Sequence, residues 1–439
     1  MPFEAPAPMT AHSTGQGRRI AVIGAGISGM GAAHRLADHN SVTLFEAGQR
    51  LGGHARTIMA GKRGDQPVDT GFIVFNYANY PYLAALFDEL DVPVVKSNMS
   101  FGASIDGGRL EYALHSGDAF FAQRKNALNP RFIRMLRDIF KFNKNALRVA
   151  EDRSLSIGEF LDVLGTGRYF RDYYLAPLSG AIWSTPTERI MDFPAHAMVN
   201  FFENHALLNY SGQHQWYTVE GGSISYVTRL EAAMQAKGVA IRLNAAVQGV
   251  RRTPMGPEVK TWGGEWEQFD EVVFATHSDD SLSMLTDPHA QESAALGAIR
   301  YQPNDIILHA DERIMPKRRK TWASWVYTED SDTASERIDL TYWMNSLQPI
   351  PMDDPHFVTL NTKRTIREEL IYDQVTLRHP VYDLGALDAQ KDVAAFNGAR
   401  NTWFCGAWMR NGFHEDGLAS AMEVVHAIDR LAAAPLAAE

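Results

Sequence analysis

The sequence predicts an α/β fold, a Rossmann-type nucleotide-binding domain that is discontinuous in the chain and carries an inserted mixed α+β domain. Three observations carry that expectation. A short β-branched strand, Ile20 to Ile23, runs into Gly24-x-Gly26-x-x-Gly29 and then a helix of small residues. A second strand, "SVTLFEA", ends at Glu46, twenty residues after Gly26. Helix–strand alternation returns at 221–285 and 396–432, and the stretches between are aromatic-rich. At 439 residues, 45% hydrophobic and 21% charged, the chain is long enough for a large core and more than one domain.

Each element has a physical reason. In the glycine loop one glycine makes the tight turn, one lets backbone approach a pyrophosphate, and one lets helix and strand pack closely. The helix start then offers free N–H groups to the phosphates. Gly24, Gly26, Ile27, Ser28 and Gly29 are therefore candidate cofactor-binding residues. A carboxylate at the offset of Glu46, followed by Ala47, suits the ribose hydroxyls.

The next residues, "EAGQRLGGHART", place Arg50 and Gly52-Gly53 directly after that acid. This resembles the E-x-x-x-R-x-G-G extension of the flavin-containing amine oxidase and phytoene desaturase superfamily. The resemblance implies FAD rather than NAD, with Arg50 and the Gly-Gly turn near its pyrophosphate and flavin. It also implies that Thr70, Gly71 and Phe72, in "PVDTGFIVFN", lie beside the isoalloxazine edge; a buried strand with a turn is the other reading. Val247 matches the position that meets adenine, and Ala275-Thr276 ends a strand returning to the nucleotide domain. The superfamily closes its FAD site with the end of the chain. There "TWFCGAW" supplies Gly406 at the turn, and "GFHEDGLASAMEVV" supplies Asp416, Gly417 and Leu418 at a helix start. A helix N-terminus at the pyrimidine end would stabilise negative charge on reduced flavin.

The implied organisation is amine-oxidase-like. Residues 1–17 form a disordered leader; 18–75, 221–285 and 396–432 form the FAD-binding domain; 76–220 and 286–395 form the substrate domain. No second GxGxxG sits between a strand and a helix, so no NADPH domain is expected. Electrons then pass from substrate to oxygen or another acceptor, or the reaction is redox-neutral. Amine oxidases of the superfamily carry a lysine on a substrate-domain strand, and the comparable strand, Asn304 to Ala310, has none. His414 stands where one of their cage aromatics would be. The single cysteine, Cys405, excludes an intramolecular disulfide and suits a reducing cytoplasm. No ligand spacing suggests a metal. The net charge of −10 argues against nucleic acid, and no apolar run reaches a membrane span.

The substrate domain opens with a helix at about 130–148, capped by Asn129 with Pro130 as first helical residue. Arg134, Arg137, Lys141, Lys144 and Arg148 make one basic stripe, with Ile133, Leu136, Phe140 and Leu147 expected opposite. Two readings stand: a solvated basic face, or an anchor on an anionic membrane surface with "PKRRK" (Pro316 to Lys320) as a second contact. Phe75, Trp183, Met198, Phe201, Phe202 and Trp216 are expected to line an apolar tunnel; core packing is the alternative for each.

"GISGMGAAHRL", "VDTGFIVFN", "AIWSTP", "RYQPN", "TYWMN" and "WFCGAWMRNGFHEDGLASA" span most of the chain. They resemble a bacterial group of FAD-dependent oxidoreductases associated with cyclopropane-fatty-acid-synthase-like methyltransferases, linked to methylated and furan fatty acids. The resemblance implies a methyl-fatty-acid desaturase acting on a phospholipid-linked acyl chain, a methyltransferase as pathway partner, and a cytoplasmic location at the inner membrane face. His414, and after it His54, are the candidate bases, with a cofactor-orienting or surface role as the alternative for each. An amine oxidase, and a redox-neutral double-bond isomerase or lipid-binding accessory flavoprotein, are the alternative functions.

Overall fold

Strand β1 (Arg19–Ile23) lies at the centre of a five-stranded parallel sheet in a computed structural model that describes residues 17–183, 190–205, 207–208, 214–329 and 338–433. The others are β2 (Ser41–Phe45), β3 (Ala240–Arg242), β4 (Glu271–Phe274) and β5 (Thr402–Phe404), in the order β3-β2-β1-β4-β5. β1 and β4 are apolar without alternation because both faces of a parallel sheet are covered. One face is covered by α1 (Ile27–Leu36), by a helix at Ile224–Ala236 and by the chain's last helix, His414–Ala433. The other carries a small antiparallel sheet at 247–268 and the helices Ala290–Ala298 and Leu384–Phe396. The parallel sheet thus draws strands from 19–45, 240–274 and 402–404.

The second layer is a mixed seven-stranded sheet built from 101–113 and 300–381. A helical layer packs on it, led by α2 (Pro130–Val149) with Ile157–Leu164, Ala176–Trp183 and Ala195–Asn204. The Asn129 side chain accepts a hydrogen bond from the Arg131 N–H at 3.0 Å, so the expected cap is present.

The apolar face of α2 differs from the expectation. Phe132, Met135, Ile139, Phe142, Ala146 and Val149 are buried, whereas Phe140 and Leu147 are 49% and 47% exposed. The i, i+3, i+4 row that starts at Phe132 packs on the neighbouring helices. Phe140 and Leu147 lie off that row, among the basic side chains. The "PKRRK" stretch is not a free cationic patch: Arg318 pairs with buried Glu111 at 2.7 Å and Lys320 with Asp118 at 2.8 Å. No described helix is long and apolar enough to cross a membrane. The 1–16 leader and most of "AIWSTP" lie outside the described residues.

Candidate active site and cofactor cradle

A cavity of about 1180 Å³ runs from the glycine loop into the helical layer. Pockets for one small ligand span roughly 300–1,000 Å³, so this one has room for a cofactor and a substrate together. Gly24 has φ 97°, which only glycine adopts cheaply, and it makes the turn out of β1. A Cβ on Gly29 would lie 1.8 Å from the Gly24 carbonyl oxygen, so that glycine sets the helix–strand approach. A Cβ on Gly26 would meet nothing within 4 Å, because that face opens onto the cavity. The Glu46 carboxylate accepts from the Ala25 N–H at 2.8 Å and the Gly48 N–H at 2.7 Å. It still lines the cavity, with lone pairs left for other donors.

Gly24, Gly26, Ile27, Ser28, Glu46, Ala47, Gly52, Gly53, Thr70, Gly71, Phe72, Val247, Ala275, Thr276 and Gly406 all line this cavity, as do His54 and His414. Five expected cofactor contacts do not, Gly29 among them because it packs on the Gly24 carbonyl. Arg50 turns its guanidinium onto the carbonyls of Leu51, Gly53 and Ala55 at 2.7–3.1 Å, so it staples the Gly-Gly turn. Asp416 accepts from the Phe413 N–H at 2.9 Å and caps the last helix. Gly417 and Leu418 pack on α1. A Cβ on Gly417 would lie 2.8 Å from Ser28 Oγ, and Leu418 Cδ1 sits 2.3 Å from where a Gly31 Cβ would be.

Asp69 is buried beneath the cavity wall. It accepts hydrogen bonds from Ser223 N–H and Oγ–H, Thr57 Oγ–H and Gln348 Nε2–H at 2.6–3.0 Å. Burial nonetheless raises its carboxyl to about 6.

Of the expected tunnel residues, Phe201 and Trp216 line the cavity. Phe75, Met198 and Phe202 are fully buried in the hydrophobic cores instead. The side chain of Trp183 lies outside the described residues. Phe413, which sequence reading passed over, stacks on Phe201 at 5.0 Å, and Phe201 stacks on His205 at 3.9 Å. The spacing of Phe201 and His205, one helical turn apart, was a usable signal. Tyr382, His277 and His379 carried none: His277 follows the strand Glu271–Phe274, and His379 and Tyr382 come from the end of the strand Ile371–Val381.

Histidines dominate the titratable lining. The His54 ring lies 5.7 Å from that of His277 and 5.6 Å from that of His379. His414 stacks on Phe72 at 4.0 Å and shares a 2.6 Å hydrogen bond with the Tyr226 hydroxyl. Burial first, then mutual repulsion and nearby arginines, push His54 down to about 4 and His277, His379 and His414 to about 3. All four are neutral at pH 7. The carboxylates of Asp279 and Asp280 beside His277 are both held by Arg378 at 2.5 Å. No Lys or Arg is among the described residues lining the cavity.

These shifts give a pH prediction. Between about pH 4 and 6.5 the unfolded chain protonates the four histidines and the folded one does not. Asp69 and Asp416, both raised to about 6, act in the opposite sense. His309, which burial also lowers to about 4, adds to the histidine side, so the unfolded state binds more protons and stability falls as pH falls. Apoprotein melting temperature should decline from pH 6.5 to 5 and stay level from 7 to 8. A flat profile across 5 to 6.5 would contradict the neutral cluster.

Residues 27–362 match the family of flavin containing amine oxidoreductases. The chain belongs to that family. Its cofactor is FAD, and the cradle fits one: an open glycine at the helix start, a ribose-facing carboxylate, and helix N–H groups in place of a phosphate-binding arginine. Short segments resemble two porphyrinogen-oxidising enzymes. Protoporphyrinogen oxidase 2 of Arabidopsis thaliana is 50% identical over 44 residues, 10% of this chain and 9% of that protein. Coproporphyrinogen III oxidase of Mycobacterium leprae (strain TN) is 43% identical over 77 residues, 17% and 16% of the two chains. The matched stretches therefore span less than a fifth of either relative. Whole-chain likeness is to solved folds. A fatty acid isomerase from P. acnes that produces CLA has TM-score 0.67 at 15% identity, covering 94% of this chain and 99% of that one. Cyclohexylamine oxidase from Brevibacterium oxydans IH-35A has TM-score 0.66 at 14% identity, covering 95% and 99%. At such identities the likeness is one of fold.

Proposed function

We propose that this flavoprotein dehydrogenates a methyl-branched, unsaturated fatty acyl chain, phospholipid-linked, to a methylated diene in methylated and furan fatty acid synthesis. The observation that carries the reading is the inner lining of the cavity. Leu136, Ile139, Tyr174, Leu178, Ile182 and Phe201 enclose it, and no cationic side chain lines it among the described residues. An uncharged chain suits such a passage; a bare carboxylate would lose its hydration there with no partner. That a solved protein of the same fold is a fatty acid isomerase supports the substrate class.

Bound FAD supplies the acceptor for hydride. Loss of hydride from a C–H both allylic and tertiary leaves a delocalised cation on the acyl chain. What the protein must provide is an acceptor for the adjacent proton, and next to such a cation that proton is acidic enough for a weak base. Neutral His54 has no hydrogen-bonding partner among the described residues, while His414 shares Nε2 with Tyr226. Both are proposed proton acceptors, His54 as the less encumbered. Replacing either with alanine should leave FAD bound and slow turnover, by about 10²–10⁴-fold for the true base.

The test mixes holoenzyme anaerobically with phospholipid bearing methyl-branched monounsaturated chains, then follows the visible flavin band and analyses the lipid. Bleaching with a product two hydrogens lighter supports the proposal. A mass-neutral product would mean isomerisation, and bleaching only by amines would mean an amine oxidase.

The proposed partner surface is an anionic membrane, with a methyltransferase supplying the branched substrate. Exposed on or just before α2 are Leu128 (88%), Phe140 and Leu147, among Arg134, Arg137, Lys141, Lys144 and Arg148. Phe140 also lines the cavity, so this face borders its entrance. Each basic residue near such a surface contributes about 1 kcal/mol. Changing Arg137, Lys141 and Lys144 to Glu should abolish sedimentation with anionic vesicles at low salt and leave FAD content intact. Undiminished sedimentation would rule the helix out as the contact.

A further inference from the structure

One polar group interrupts the apolar passage at its α2 end. Asn143 lies one turn beyond Ile139 and Phe140, and all three line the cavity, with Leu178 and Ile182 also in its wall. The Asn143 Oδ1 atom is buried and has no hydrogen-bond partner. Buried side-chain polar atoms are nearly always satisfied, and leaving one unsatisfied is costly. Asn76 and Asn79 also carry an unpartnered atom, yet neither lines the cavity. A leucine would fill the Asn143 position and suit its neighbours. The amide therefore has a hydrogen-bonding capacity that the fold leaves unused, on a residue that lines the ligand space.

We propose that Asn143 is the specificity residue of the passage, hydrogen-bonding the carbonyl end of the acyl ligand and so setting how far the chain enters. The inference rests on the lipid reading and deepens it. An acyl chain is hydrocarbon throughout except where its carbonyl begins, so one polar group in an apolar channel recognises one position along it. Oδ1 and a ligand carbonyl oxygen both accept, so the contact is made by the Asn143 Nδ2 amino group, which donates to the carbonyl oxygen. Asn143 is on the same helix as the exposed basic side chains, so a carbonyl held there leaves a phosphate headgroup toward the outer, basic part of that helix. The register of the chain against the deeper, histidine-lined end of the cavity then follows from a single anchor point.

The test uses holoenzyme and two probes of equal length: the methyl ester of a methyl-branched monounsaturated fatty acid, and the corresponding alkene with no carbonyl. Binding is read from the change in the flavin spectrum, and the site of the new double bond by mass spectrometry. In Asn143→Leu the ester should bind about five- to tenfold more weakly, as expected for one lost hydrogen bond. The alkene should bind as in the wild type, and the ester's product should become a mixture of positional isomers. The melting temperature of ligand-free Asn143→Leu should equal or exceed that of the wild type, and Asn143→Ala provides a second, smaller replacement. An unchanged ester-to-alkene ratio in both variants overturns the proposal while the lipid reading stands. Failure of the wild type to bind either probe overturns both.

Discussion

Glu46→Ala should purify largely free of FAD, with affinity lowered by about two to three orders of magnitude. Its carboxylate fixes two N–H groups of the surrounding turns, from Ala25 and Gly48, and faces the cavity beside them. Hydrogen bonds to a charged group contribute about 1.5–3 kcal/mol each. Removing this one acid strips two of them from the cradle, and any from the cofactor's ribose. About 3–4 kcal/mol corresponds to 10²–10³ in dissociation constant. The measurement is a titration of apoprotein with FAD followed by flavin fluorescence. Glu46→Gln, which keeps one acceptor oxygen, should fall between. Wild-type affinity in the alanine variant would mean that the acid only shapes the loop.

Asp69→Ala should unfold the protein at a temperature lower by about 3–5 °C. The side chain satisfies donors from three separate places, Thr57, Ser223 and Gln348. Deleting it leaves those buried donors without an acceptor, at about 1–3 kcal/mol apiece before relaxation. A net loss of roughly 3–5 kcal/mol, at about 1 °C per kcal/mol for a chain of 439 residues, gives the predicted shift. Asp69→Asn should lose less, since its amide oxygen still accepts. A shift under 2 °C in Asp69→Ala would show that the network can repack around the gap.

The cofactor half of this site was legible because its demands are local. Gly24, Gly26 and Gly29 must be glycine for reasons of turn and approach, and strand, loop and acid follow one another in sequence. Arg50 was misread because its motif says where the residue sits and not what its guanidinium touches; three of its donors are consumed by the turn itself. The catalytic half was poorly legible for a different reason. His54, His277, His379 and His414 come from four distant segments, and no spacing announces that they converge. Phe202 and Met198 were indistinguishable from Phe201 by composition; Met198 and Phe202 sit one turn apart on the buried side of the helix, and Phe201 points about 100° away from Phe202. On α2 the amphipathic period was correct, but the face was placed about one residue away from the one that packs.

The order of pairing in the parallel sheet has a bearing on synthesis. Ile20 pairs with Glu271 and Val272 with Thr402, so the sheet is complete only when nearly all the chain exists. At about 5–20 residues per second, the 379 positions from Ile23 to Thr402 take roughly 20–80 s to emerge. From its own emergence until Thr402, β4 has an open edge, and throughout the interval α1 lacks the final helix that Leu418 docks against Gly31. A nascent chain in this state displays the glycine motif without the wall contributed by Gly406 and His414. The cavity is therefore closed on all sides only after the segment carrying Gly406 and His414 has been made.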